Sequence, residues 1–156
     1  MNEAQRMVQE FHRRFAIAVA DRPIIPDAQT AALRIRLIQE EFDELKAALE
    51  TKDLPGIAKE LADLLYVVYG TAVSYGIDME PVFEEVHRSN MSKVGGYKRE
   101  DGKWIKPPTY SPANIPPLLL QQSSKQTNPP CHALGAHNAP NHILCDRHVS
   151  EDENKG

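Results

Sequence analysis

The chain has 156 residues, of which 41% are hydrophobic and 26% are charged, and its formal net charge is -4. A chain of this length corresponds to one domain and can bury a hydrophobic core without disulfides. Its mild acidity excludes a general attraction for nucleic acids or anionic membranes, so a phosphate-bearing partner must be met by local cations or metal ions.

The sequence also argues against membrane insertion and secretion. The longest apolar run, within residues 64–73, is too short and too polar to span a bilayer. Residues 1–22 place Glu3 and Glu10 among several arginines and contain no cleavable apolar stretch, which indicates a helix and not a targeting peptide. The cysteines, Cys131 and Cys145, are too few for a disulfide framework. We therefore expect a cytoplasmic protein.

The first two helices are predicted from apolar residues at helical spacing. The first covers residues 2–20 and ends at the proline-containing sequence DRPIIPDA. The second runs from Ala28 to Glu50, and Asp27 is a suitable N-cap residue.

Two further helices follow after short breaks. The sequence TKDLPG separates the second helix from the third, which carries Pro55 in its first turn and is predicted to end at Tyr75. Asp78 caps a fourth helix that continues to Met91. Four helices joined by short breaks predict an all-α fold, an antiparallel four-helix bundle. The third helix is apolar on more sides than one core requires, so we expect dimerisation to complete the bundle.

The composition changes after the fourth helix. We assign residues 1–106 to the helical domain, including a basic loop after the fourth helix, and residues 107–156 to a tail rich in Pro, His and polar residues. Few large apolar residues occur in this tail, which predicts an irregular and largely disordered segment. Its cysteines and histidines match the spacing of no standard zinc finger; they are Cys131, His132, His137, His142, Cys145 and His148.

Acidic residues lie within the apolar pattern of the second and third helices. They form the sequences E-E-x-x-E and E-x-x-D and are Glu40, Glu41, Glu44, Glu60 and Asp63. At about 100° per residue, the three glutamates of the second helix lie on or beside its apolar arc, and the two acids of the third helix share one side. A charge at such a position is costly unless it is neutralised.

An antiparallel pair of helices would bring these acidic stripes face to face. Converging carboxylates repel one another unless divalent cations hold them. Carboxylate oxygens without His or Cys favour a hard ion, so the pattern predicts bound Mg²⁺, with Mn²⁺ as the other candidate. The alternative is a solvated acidic face paired with Lys46 and Lys59.

The combined E-E-x-x-E and E-x-x-D pattern resembles the signature of the MazG-like all-α nucleoside triphosphate pyrophosphohydrolases. This superfamily also holds the phosphoribosyl-ATP pyrophosphohydrolases and dimeric dUTPases, and the resemblance extends from VQEFHRRF to VHRSNMSKVGGYKREDGKW. It implies Mg²⁺-dependent cleavage of a nucleoside triphosphate between the α and β phosphates. It also implies that Glu41 is a ligand or the catalytic base, and that the metal ligands are Glu40, Glu44, Glu60 and Asp63.

A second set of residues is suited to the phosphates and the base. In similar proteins an Asn and a Lys in an N-x-x-K arrangement contact the phosphates, which carries over to Asn90 and Lys93. Arg88 either joins them or complements the dipole of the helix end. For the nucleobase, the candidate pocket residues are Phe11, His12 and Trp104, together with Phe15.

Several alternatives remain open at this point. Within the superfamily, the chain could be an enzyme resembling the phosphoribosyl-ATP pyrophosphohydrolases. A carboxylate-bridged di-iron bundle would use Glu84 and His87, but it requires two E-x-x-H copies, and only one is present before the tail. A non-catalytic helical dimer is the third class. The expected partners are a nucleoside triphosphate and further copies of the chain, as a homodimer or homotetramer, with no nucleic acid and no membrane.

Overall fold

The computed structural model describes residues 1–124, and the predictions made for residues 125–156, including the Cys and His pattern, lie outside this part of the chain. The all-α prediction is confirmed, because helices dominate the described residues and form a bundle. In chain order the elements are α1 (Glu3–Arg14), α2 (Ala28–Thr51), α3 (Leu54–Ser74), α4 (Met79–Met91), β1 (Tyr97–Lys98), β2 (Trp104–Ile105) and α5 (Pro116–Ser124).

The first helix is shorter than the sequence predicts. It ends at Arg14, and Ala16 adopts the left-handed conformation with φ of 53°. The N–H of Ile17 then donates to the carbonyl of His12 at 2.8 Å, which completes a Schellman-type ending. The prediction of a helix to residue 20 was therefore wrong, because the chain reverses direction without the glycine that usually marks such a turn.

The segment after α1 runs along the C-terminal end of α3. The N–H of Ala20 donates to the carbonyl of Val73, and the N–H of Ile24 donates to the carbonyl of Tyr75. Gly76 permits this close approach, since it has φ of +66° and a Cβ there would lie 2.1 Å from the carbonyl oxygen of Arg22. The segment therefore carries the chain from α1 to the start of α2 against the surface of α3.

A tight turn joins α2 to α3, as the sequence TKDLPG predicts. Lys52 is left-handed with φ of 56°, and the N–H of Asp53 donates to the carbonyl of Ala48 at 3.1 Å. Pro55 lies in the first turn of α3, where its missing N–H has no cost. The turn makes α2 and α3 antiparallel neighbours, so side chains on their facing surfaces meet.

The core lies where α3 packs between α1 and α2, and these two pairs make the main helix contacts. Within residues 1–124, few apolar side chains are fully buried, and most of these are small. They are Val8, Leu45, Ala72 and Val73. The pairing of α1 with α3 is reinforced at one end by Gln5, whose amide donates to the carbonyl of Ile77 at 2.6 Å. Large apolar side chains remain exposed on α2 and α3, as described below.

Polar contacts attach α4 at both of its ends. The N-terminal amino group of Met1 lies 2.7 Å from the carboxylate of Asp78, the N-cap residue of α4. Gln122 of α5 accepts from the N–H of Asp78 at 2.8 Å. At the other end, the hydroxyl of Ser89 donates to that of Tyr110 at 3.1 Å. The fourth helix is therefore linked to α1, to the loop after β2 and to α5.

Three elements, β1, β2 and α5, were not predicted from the sequence. The antiparallel pair β1–β2 joins Tyr97 to Ile105 and Lys98 to Trp104 within the basic loop. The short helix α5 lies in the segment predicted to be irregular; it starts at a Pro-Pro pair and continues with three leucines, Leu118 to Leu120. No helix in residues 1–124 is long and apolar enough to cross a membrane.

Candidate metal site

Three of the predicted acids meet between α2 and α3. Glu41, Glu60 and Asp63 each present a carboxylate oxygen within 4.8 Å of those of the other two. Glu60 is buried, with 9% of its surface exposed, and the other two are half-buried. We call these residues the acidic trio.

The helix geometry explains why these acids converge. Glu60 and Asp63 are three residues apart on α3 and therefore lie on one side of the helix. Glu41 lies on α2 at about the same distance from the turn, so the antiparallel pairing sets it opposite them. The short connection at Lys52 and Asp53 is what brings the two halves of the trio together.

The surroundings of Glu41 favour its protonated form. Burial raises the pKa of Glu41 above its ordinary value, and the negative charges of Asp63, Glu44 and Glu60 raise it further, while the charge of Lys59 opposes them. This is the electrostatic behaviour expected where several carboxylates converge without enough positive charge. A bound cation would reverse it.

A lysine neutralises part of the acidic trio. The ammonium of Lys59 donates to both carboxylate oxygens of Glu60, at 3.0 and 3.1 Å, and to Asp63 Oδ2 at 2.8 Å. These ion pairs raise the pKa of Lys59, first through Asp63 and then through Glu60. Pairing with Lys59 was one of the alternatives open from the sequence, whereas Lys46 pairs with Asp43 on the exposed side of α2.

The two remaining acids of the motif lie at the edge of the trio. Glu44 is exposed but close enough to influence the pKa of Glu41. Glu40 is also exposed. The predicted metal-ligand roles of Glu40 and Glu44 stay predictions.

The predicted phosphate ligands lie at the end of α4. The ammonium of Lys93 donates to Asn90 Oδ1 at 2.6 Å. Arg88 donates to both carboxylate oxygens of Glu85, at 2.7 and 2.8 Å, and also bonds Ser111 and the carbonyl of Pro112. Arg88 is thus already engaged in fixing the loop after β2, and a phosphate would have to exchange with these partners.

The predicted base-pocket residues separate into exposed and buried groups. Phe11 is 39% exposed and packs against Phe15, with ring centroids 4.6 Å apart, and edge-on against Tyr66 at 5.6 Å. Trp104 is 45% exposed, and its indole N–H donates to the carbonyl of Lys93. His12, by contrast, is 2% exposed. Contact between a base and His12 would therefore require an opening of the structure.

His12 belongs to a buried polar cluster that the sequence analysis missed. Its Nδ1–H donates to the carbonyl of Ala18 at 2.9 Å, which leaves Nε2 as the acceptor facing Arg34 Nη1 at 3.4 Å. Burial lowers the pKa of His12, in keeping with this neutral tautomer. Gly70 leaves room for the pair, since a Cβ there would lie 2.8 Å from Arg34 Nη1 and 3.0 Å from His12 Nε2.

The burial of Arg34 could have been predicted from the sequence, because an arginine within an apolar helix face is unusual. It precedes Glu41 by two helical turns and so lies on the same face of α2, within the apolar arc. Its side chain is 5% exposed, and its Nε has no hydrogen-bond partner among the described residues. The cluster formed by Arg34, His12 and Gly70 therefore lies two turns from the acidic trio, in the groove between α2 and α3.

The acidic trio fits a hard divalent cation. Its donors are carboxylate oxygens from two rigid helices, their spacing allows one ion to reach all three, and their mutual repulsion is only partly relieved by Lys59. The residues of the di-iron alternative, Glu84 and His87, are exposed on α4.

Comparison with known proteins agrees with this geometry. The family model described as phosphoribosyl-ATP pyrophosphohydrolase matches residues 8–90, a range that contains the whole acidic trio. The chain is also 39% identical, over 77 residues, to an uncharacterised protein of Acanthamoeba polyphaga mimivirus. The aligned region covers 47% of this chain and 31% of the viral protein, so the chain spans about a third of that relative.

Proposed function

Because the chain belongs to the phosphoribosyl-ATP pyrophosphohydrolase family, we propose that it hydrolyses a nucleoside triphosphate, with ribose or deoxyribose, to the monophosphate and pyrophosphate. The observation that carries this proposal is the convergence of Glu41, Glu60 and Asp63 within 4.8 Å. The role that fits best is the removal of unwanted nucleotides from the cytoplasmic pool.

Glu60 and Asp63 of the acidic trio would hold the cation, with Mg²⁺ as the proposed ion and Mn²⁺ as a substitute. The further proposed ligands are Glu40 and Glu44, whose carboxylates are exposed. When bound, such an ion neutralises phosphate charge and lowers the pKa of a water molecule. The chain itself needs no nucleophilic side chain for this reaction.

Glu41 is the proposed catalytic base. It lies opposite Glu60 and Asp63, where it can accept a hydrogen bond from a water directed at the α phosphate. Burial, the largest cause of its raised pKa, favours accepting a proton near neutral pH, whereas a bound cation would offset the charge of the neighbouring acids. Its position on the rigid helix α2 supports a fixed orientation for the attacking water.

The basic end of α4 is the proposed site for the outgoing pyrophosphate. Lys93 and Asn90 already form a hydrogen-bonded pair, which prepares an amide and an ammonium for phosphate oxygens. Lys106 lies over the ring of Tyr110 at 4.2 Å and adds positive charge to the same region. Arg88 would contribute mainly by holding the loop in place.

The exposed aromatic residues offer a surface for the base. Phe11 and Tyr66 form an edge-on pair, in which Tyr66 follows Asp63 by three residues on α3, and both are more than a third exposed. Such rings can stack on a base without selecting one base from another. Trp104 is the further candidate, from the hairpin after α4.

We also propose that the active form is a homodimer or a homotetramer. Two stripes of exposed apolar side chains support this: Ile35, Phe42 and Leu49 on α2, and Leu61, Leu65 and Val68 on α3, with between 37% and 69% of each exposed. Residues spaced by three, four or seven lie near one helix face, so the three members of each stripe share a face. A second copy packed against these stripes would complete the bundle.

Phosphoribosyl-ATP itself is the second candidate substrate, and the description of the matching family favours it. The reaction would be the same cleavage between the α and β phosphates. The two candidate substrates differ in what is attached to the base and not in the phosphates. The acidic trio therefore does not distinguish them, and activity on each substrate must be compared.

A product analysis tests the proposal. The protein is incubated with Mg²⁺ and a panel of canonical and modified nucleoside triphosphates, with phosphoribosyl-ATP as a separate sample. Monophosphate plus pyrophosphate is expected for at least one nucleoside triphosphate, with a loss of at least about a hundredfold in Glu41→Gln and Asp63→Asn. Release of orthophosphate, or full activity in both variants, would contradict the mechanism.

A further inference from the structure

The ammonium of Lys59 lies at the carboxylates that are proposed to bind a metal ion. Its ammonium contacts both oxygens of Glu60 and one oxygen of Asp63, all within 3.1 Å. Those three oxygens belong to the acids that the proposed function assigns to a divalent cation. A lysine and a divalent ion compete for them, because both are attracted to the same carboxylate oxygens and the two positive charges repel at this distance.

The sequence makes Lys59 a distinctive residue in this part of the chain. It is the only lysine or arginine between Lys52 and Arg88. Among residues 1–124, it is also the basic side chain for which ion pairs with Glu60 and Asp63 are observed. Its position follows from α3, since Glu60 is the next residue and Asp63 lies one turn further along.

The side chain can leave the carboxylates easily. It is 62% exposed, whereas the side chain of Glu60 is 11% exposed, so the acid is fixed and the lysine is free to move. A lysine has four methylene groups between its backbone and its charge and can rotate into solvent at small cost. The carboxylates that remain would then be neutralised by the incoming ion.

We propose that Lys59 is an internal counter-cation of the acidic trio, which holds Glu60 and Asp63 in the cation-free protein and is displaced when a divalent ion binds. This inference rests on the cation site of the proposed function. Lys59 would then position the carboxylates of Glu60 and Asp63 in the cation-free protein. Because its ammonium competes with the ion for these carboxylates, it would also lower the measured cation affinity.

Titration calorimetry with Mg²⁺ or Mn²⁺ alone, on the full chain without nucleotide, tests the inference. Lys59→Met keeps the length of the side chain and removes its charge, so the cation should bind roughly threefold or more tightly than in the wild type. Lys59→Arg keeps the charge and should bind it about as the wild type does. Lys46→Met also removes one positive charge, from the exposed Asp43 pair, and is the matched control that should leave the affinity unchanged.

Thermal unfolding supplies a second readout that does not depend on activity. Without divalent ions, Lys59→Met should melt at a lower temperature than the wild type, and the gain in Tm on addition of Mg²⁺ should be larger. Cation binding that Lys59→Met leaves unchanged or weakens would overturn the inference while the cation site stands. Failure of the wild type and all variants to bind either ion would overturn both the inference and the proposed site.

Discussion

Arg34 lies at the junction of α1, α2 and α3, and its guanidinium faces the ring nitrogen of a neutral histidine where a carboxylate would be expected. Burial lowers its pKa, which reflects the cost of keeping this charge away from water. Within residues 1–124, the one hydrogen bond observed for this guanidinium, to His12, is long at 3.4 Å. An unpaired buried charge of this kind destabilises the fold that contains it.

We expect Arg34→Met to raise the thermal stability of the protein. Methionine fills a similar volume without a charge, so the free energy of unfolding should rise by about 1 kcal/mol or more. The measurement is Tm in urea-free buffer, together with a urea titration at 25 °C. Arg36→Met, at an exposed position on the same helix, is the control and should change stability by no more than about 0.5 kcal/mol. A lower Tm for Arg34→Met would show that the guanidinium stabilises the junction.

Part of the candidate site could be predicted at this scale. The helical wheels and the antiparallel pairing placed Glu41, Glu60 and Asp63 on facing surfaces, together with Glu40 and Glu44, which the structure leaves exposed. The contact between Arg34 and His12 could not be predicted, because it depends on how α1 is placed over α2 and α3, and this in turn depends on the turn at Ala16.

At the scale of the elements, the non-glycine residue Ala16 occupies the left-handed turn that ends α1. The Cβ of an L-residue is strained in this conformation, and glycine is not. The proline and aspartate of the sequence TKDLPG predict a turn, whereas no residue type at the Ala16 turn predicts one. This explains why the α2–α3 connection was predicted correctly and the end of α1 was not.

We expect Ala16→Gly to stabilise the protein. Relief of the left-handed strain should exceed the additional entropy of the unfolded chain, and the free energy of unfolding should rise by about 0.5 to 1 kcal/mol. Ala18→Gly is the matched control, because Ala18 lies outside the left-handed region and should be destabilised by the same change. Equilibrium urea unfolding measures both variants, and a loss of stability in Ala16→Gly would contradict the account of this turn.

The attachment of the loop after β2 to α4 should depend on pH. The guanidinium of Arg88 and the N–H of Asn114 lower the pKa of Glu85 from 4.5 to about 2. A lowered pKa in the folded state stabilises the protein above pH 4.5, and this contribution is lost as the pH falls from 4.5 toward 2. The Tm difference between the wild type and Glu85→Gln should therefore be largest near neutral pH.

Thermal scans at several pH values check this expectation. The difference should shrink steadily below pH 4.5 and vanish near pH 2. Glu84→Gln, the exposed neighbour on the same helix, controls for the loss of one negative charge. A difference that is independent of pH would mean that Glu85 contributes through its shape and not through its charge.

At the scale of the whole molecule, the buried apolar core is small for the number of apolar residues in the chain. Large apolar side chains on α2 and α3 remain exposed in these two stripes, which the described residues of a single copy do not cover. Exposed apolar stripes of this extent are typical of surfaces that pack against another protein. The additional apolar residues of α3 could therefore be predicted from its sequence. The surface that covers them could not be predicted, because the sequence alone does not determine which faces pack together.

We expect Phe42→Glu to disrupt the proposed assembly. Phe42 lies at the middle of the α2 stripe and is 47% exposed, so a carboxylate there would be buried without a partner in the dimer. The dissociation constant of the dimer should rise at least about tenfold, as measured by light scattering over a dilution series. Ile25→Glu, at an apolar position that is 86% exposed and outside both stripes, should leave the assembly intact. A monomeric wild type at every concentration would contradict the proposal.

The acidic trio, the family and the basic end of α4 lead to one chemical claim: water attacks the α phosphate of a nucleoside triphosphate. Hydrolysis in ¹⁸O-labelled water with Mg²⁺ tests it directly, because the phosphorus that is attacked keeps the label. Attack at the α phosphate should give, by mass spectrometry, one ¹⁸O atom in the monophosphate and none in the pyrophosphate. Label in the pyrophosphate or in orthophosphate would contradict the claim.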